Sequence, residues 1–146
     1  MQYKSSYTKT SQQLVRYFLT TPTSNYQIDE FARLLKLPHY HRAISSDEID
    51  NLPEVDNLTV VCNTHARDTP GVGHWVALVI ASPVCNYFDS FGFSPSGFPL
   101  MRNEAIMAFL NKRQYNVTYN ARDFQNINTQ VCGIYAVMYI YYNAVK

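Results

Sequence analysis

Read for the spacing of its apolar residues, the chain opens with helical periodicity and changes to strand-like runs near residue 58. Thr10 to Leu19 places Leu14, Tyr17 and Phe18 on one face of a short predicted helix. Ile28, Phe31, Leu34 and Leu35 recur at helical spacing, with Asn25 as the expected cap and Pro38 as the stop. Ser45-x-x-Glu48 has the form of a capping box and predicts a third short helix, ended before Pro53. Leu58 to Cys62 is then apolar and β-branched, and Trp75 to Ala81 is a continuous apolar run that suits a buried strand. Ser82-Pro83 signals a turn and Val84 to Phe88 the next strand, so these two are expected to form a hairpin. Gly92 to Pro99, with two glycines and two prolines, reads as a loop. Met101 to Lys112 returns to helical spacing through Met101, Ile106, Phe109 and Leu110, and Tyr115 to Tyr119 alternates like a strand. Val131 to Val145 is apolar nearly all round and long enough for a buried helix. The order predicts an α+β fold, a small mixed β-sheet packed on a central helix. One domain, 1–146, is expected, with a helical part over 1–55 and the sheet and later helices over 56–146.

Composition narrows the function classes. The chain is 47% hydrophobic and only 16% charged, which argues for a real core and against a disordered tail protein. A net charge of +1 gives no global electrostatic case for nucleic acid or membrane. Cys62, Cys85 and Cys132 form no disulfide framework, so a reducing compartment is expected. The first twenty residues lack an apolar stretch, so no signal peptide is expected, and the sequons at Asn57 and Asn116 then read as chance matches.

The candidate chemistry begins at Cys132-Gly133, where loop turns into the last predicted helix. A helix start offers unpaired N–H groups and partial positive charge, both of which favour thiolate over thiol. Gly133 leaves room for close approach. His74 stands at the exit of Gly71-Val72-Gly73 and before the apolar strand, where an imidazole can project into a cleft and take a thiol proton. Asp89 ends the paired strand, 15 residues after His74, and a hairpin brings the two to its open end. An acid there fixes the imidazole tautomer. Gln125, seven residues before Cys132, and Gln130 both qualify as donors to an oxyanion. Taken singly, each residue has a plainer reading: a small buried hydrophobe, a capping histidine, a turn-starting aspartate. The alternative of a zinc module on Cys62, His65 and one of His39, His41 or His74 has only half a motif, Cys62-x2-His65, so no metal is expected.

The order His74-Trp75, then Asp89-Ser90-Phe91-Gly92, then Gln125-x6-Cys132-Gly133 resembles the adenovirus maturation protease (adenain) family. It is more loosely similar to the SUMO- and ubiquitin-like-protein proteases of the same clan. Asn63-Thr64-x-x-Arg67-x-Thr69-x-Gly71-Val72 and Phe88-Asp89-x-Phe91-Gly92-Phe93-Ser94 extend the likeness over roughly Leu58 to Tyr139. Gly73 is one residue more than the adenain pattern has before its histidine, and the first 55 residues match poorly. The resemblance implies an adenain-like fold and a cysteine endopeptidase with Cys132 as nucleophile, His74 as base, Asp89 orienting it and Gln125, rather than Gln130, donating to the oxyanion. It also implies that Trp75, with Gly73 and Gly133, walls a narrow substrate groove selective for Gly-containing sites. Substrates would be capsid and core precursors of a DNA virus or a virus-like element, cleaved inside the virion and host cell, in the nucleus if the virus is adenovirus-like. The clan alternative is an isopeptidase that removes ubiquitin or a related modifier, also at a Gly-Gly terminus.

Adenains are activated by a disulfide-held viral peptide and by DNA. The matching stretch here, roughly Asn111 to Tyr119, has no cysteine, so a tethered activator is not expected. Lys112-Arg113-Gln114-Tyr115 leaves room for a non-covalent activating peptide added as a strand. DNA binding is expected to be weak or absent at this net charge, and no cofactor or membrane partner is expected.

Overall fold

The computed structural model describes residues 24–69, 73–95, 103–120 and 132–144. The helix expected over Thr10 to Leu19 lies outside them, as do Gly71, Val72, Gln125 and Gln130. The described chain runs α1 (Asn25–Leu34), β1 (Tyr40–Ile44), a 3₁₀ helix (Ser46–Asn51), β2 (Asn57–Asn63), β3 (Trp75–Ala81), β4 (Val84–Phe88), α2 (Glu104–Lys112), β5 (Asn116–Tyr119) and α3 (Cys132–Ala144). The five strands form one sheet in the order β1-β2-β3-β4-β5. Its centre is antiparallel, β2 with β3 and β3 with β4, and both outer pairs are parallel. The expected α+β class and the mixed sheet are therefore found.

Burial on both sheet faces explains why β3 reads as an unbroken apolar run. Trp75 and Ala77 join Val61, Phe88, Cys132, Ala136, Val137 and Ile140 in a core with Ile28 and Phe31 of α1. Val76, Leu78 and Ile80 turn the other way, onto Val60, Cys62, Cys85, Tyr87 and the α2 residues Ile106, Phe109 and Leu110. Helices thus cover both faces, where the sequence predicted packing on one central helix. The helix α3 is also less apolar all round than expected, because Tyr142 is largely exposed near its end.

Local details differ from the sequence reading in instructive ways. The cap of α1 is Ser24, not Asn25: its Oγ accepts from Gln27 N–H, and Gln27 Oε1 accepts from Ser24 N–H. The helix ends at Leu34, and Lys36 takes a positive φ of 54° before Pro38 is reached. Ser45 and Glu48 start a 3₁₀ helix rather than an α-helix, with Glu48 Oε1 accepting from Ser45 N–H at 2.9 Å. Strand β1 was not expected, since only Ala43 and Ile44 of Tyr40–Ile44 are buried. Strand β5 is present, but all four of its residues are exposed, so the alternation of Tyr115 to Tyr119 marks an edge and not a half-buried face. Among the described residues no helix is long and apolar enough to cross a membrane.

Candidate active site

His74 stands one residue before β3, held from below by the turn that precedes it. Gly73 has φ 65°, and a Cβ there would drive into the Asn63 amide oxygen, so only glycine fits. Asn63 Oδ1 in turn accepts from His65 N–H at 2.8 Å, and Thr64 N–H donates to the His74 carbonyl at 2.8 Å. The end of β2 thereby fixes the backbone of the histidine.

Asp89 follows β4 directly. The hairpin aligns it with His74, and His74 Nε2 lies 2.8 Å from Asp89 Oδ1, with both side chains almost fully buried. The same oxygen accepts from Phe91 N–H at 2.8 Å. The aspartate backbone is gripped by Asn120, the residue after β5: Asp89 N–H donates to Asn120 Oδ1 at 3.0 Å, and Asn120 Nδ2 donates to the Asp89 carbonyl at 2.6 Å. Because β4 and β5 run parallel with Tyr87 opposite Tyr119, this amide continues the ladder by one step.

Cys132 is the first residue of α3, so the helix start meets His74 from across the fold. The Trp75 N–H donates to Cys132 Sγ at 3.2 Å. Cys132 also acts on the His74 imidazole, and with Nε2 on Asp89 the ring nitrogen left for the sulfur is Nδ1. Burial, the strongest influence, pushes the His74 pKa down. The hydrogen bonds to Asp89 and Cys132, with the charges on both, more than reverse it and raise the imidazole to about 9. The raised imidazole thus stands beside a sulfur that also faces a backbone N–H donor and a helix start.

The other thiols differ. Burial pushes Cys62 strongly up and Cys85 up to about 12, so neither is ionised near neutrality. Among the described residues no three His, Cys, Asp or Glu side chains converge in a group that could hold a metal ion.

The structure therefore brings His74, Asp89 and Cys132 together, with Gly73, Trp75 and Gly133 beside them. Gln125 and Gln130 lie outside the described residues. The Trp75 ring packs into the core and is only 8% exposed. Its backbone N–H is directed at the Cys132 sulfur. Asn120 was missed because its role depends on parallel pairing of β5 with β4, which no sequence pattern signalled. Phe91 was seen only as part of a motif.

The model of the Ulp1 protease family, C-terminal catalytic domain, matches residues 3–146. The chain belongs to the Ulp1 protease family. It is a cysteine protease, a hydrolase of the Ulp1/adenain clan. Its fold is similar to that of a solved structure described as "SUMO protease Ulp1 with the catalytic cysteine oxidized to a sulfinic acid", with TM-score 0.52 and 16% identity. That match covers 84% of this chain and 66% of the other, so the Ulp1-family chain spans just under two thirds of that relative's length. No curated protein sequence matches it. The family match supports the clan, and does not single out adenain within it.

Proposed function

We propose that this protease cleaves the bond that follows the Gly-Gly terminus of a ubiquitin-like modifier, with Cys132 as nucleophile, His74 as base and acid, and Asp89 aligning the imidazole. The carrying observation is the unbroken chain of contacts from Asp89 through His74 to Cys132. The sulfur attacks the carbonyl carbon, forming a C–S bond while the carbonyl electrons move to oxygen. The His74 proton passes to the leaving nitrogen as the C–N bond breaks. Water, deprotonated by His74, then hydrolyses the thioester and frees the thiol. Gln125 is the proposed oxyanion donor, on its spacing from Cys132 alone. The modifier class is supported by the family and by the likeness to a SUMO protease.

A second reading is favoured by the motifs Asn63 to Gly71 and Phe88 to Ser94, which resemble adenain. It assigns the same chemistry to capsid and core precursors of a DNA virus or virus-like element, cut at Gly-containing sites inside virion and host cell. Incubating the reduced protein, without DNA or activating peptide, with modifier conjugates and with a proteome-derived peptide library separates the two. Release of free modifier, lost in Cys132→Ala, is expected. Cleavage only at internal Gly sites of the library transfers the function to the second reading, and silence in both arms ends the claim of autonomous activity.

A further inference from the structure

Phe91 stands two residues beyond Asp89 and touches both members of the buried pair. Its N–H donates to the Asp89 oxygen that holds His74, and its ring stacks on the His74 imidazole with centroids 4.5 Å apart and planes 10° from parallel. Phe93 meets Phe91 edge-on at 6.3 Å and backs the stack. Among the described residues, Phe91 is not one of those packed in or against either core cluster.

The contacts through Nε2 and Nδ1 lie in the plane of the imidazole, and neither covers a ring face. A flat partner packed on one face adds to the barrier against turning the ring about Cβ–Cγ, and a π face beneath a cation also stabilises it electrostatically. We infer that Phe91 is a positioning residue for the catalytic base: its ring fixes the plane of His74 and favours the imidazolium that pairs with the Cys132 thiolate. This rests on the triad reading above.

The test compares Phe91→Leu, which fills space without a π face, with Phe91→Tyr, which restores one. The readout is the pH dependence of Cys132 alkylation by iodoacetamide, located by peptide mass spectrometry, alongside peptide hydrolysis and thermal unfolding. Phe91→Leu is expected to move the thiolate titration up by about half a unit to one unit, and to lower kcat about 3- to 10-fold with KM unchanged. Phe91→Tyr is expected to follow the wild type. A titration unmoved in Phe91→Leu, even with turnover or Tm reduced, overturns the inference, as does a Phe91→Tyr protein shifted as far as Phe91→Leu. A wild-type Cys132 that titrates like a free thiol refutes the triad reading itself, and the inference with it.

Discussion

Cys62 and Cys85 point into the sheet face covered by α2 and the 3₁₀ helix, while Cys132 enters from the face covered by α1 and α3. Both environments are buried, and all three thiols are free. On the α2 side the neighbours include Val60, Val76, Leu78 and Ile80, and burial, joined at Cys62 by the charges of Glu48 and Asp47, keeps the thiols protonated. On the α3 side the apolar packing stops at the strand ends, where His74, the Trp75 N–H and the helix start surround the sulfur. Burial depth does not separate the three cysteines here; polar neighbours at the sheet's end do.

The largest effect that tests this contrast is Cys132→Ala. Hydrolysis should vanish while circular dichroism stays native, and a fully active variant would erase the distinction between the faces. Next comes Asp89→Asn, expected to lower kcat about a hundredfold by disturbing the imidazole's tautomer and charge. Asn120→Ala, which only loosens the Asp89 backbone, should lose about tenfold. Equal losses in the two variants would show that the carboxylate acts through its backbone placement alone.

The pH dependence sharpens the picture further. The folded imidazole, at about 9, lies above its ordinary 6.5. Its pairing therefore stabilises the fold fully below 6.5 and is lost as pH rises through about 9. Stability from urea unfolding and kcat/KM should both fall on that alkaline side, and a profile flat from neutrality to pH well above 9 would contradict it. Gly73→Ala should lose about 1–3 kcal/mol of stability by strain at positive φ, read as a lowered urea midpoint. The smallest effect belongs to the inert face: Cys62→Ala and Cys85→Ala should each cost about 1 kcal/mol of stability and leave turnover intact. A large loss of activity from either would show coupling across the sheet.

Strands β3 and β4 were legible because long apolar runs flank an evident turn, and their pairing was enough to bring His74 and Asp89 to the same end of the hairpin. Helix α3 was legible by length and apolar content. Tyr40–Ile44 was not, since a short edge strand in a parallel pair buries only two residues and carries no period. The second helical layer was hidden for a related reason. A strand buried on both sides has no alternation to show which element covers which face. Ser24 was passed over for Asn25 because both residues suit a cap, and the reciprocal bonds with Gln27 decide between them. Asn120 and Phe91 act through contacts set by tertiary register and ring stacking, for which their types alone give no signal.

The strand β3 is hydrogen-bonded along both edges, whereas β5 is four exposed residues with one partner strand among the described residues. Amide protons on β3 can exchange only when the whole sheet opens, and those near β5 exchange through local fraying. His74 is thus moored to the strand paired on both sides, whereas the Asp89 backbone depends on Asn120, beside the exposed strand. In a warming sample, activity is expected to decline several-fold as β5 frays from β4, before the domain melts.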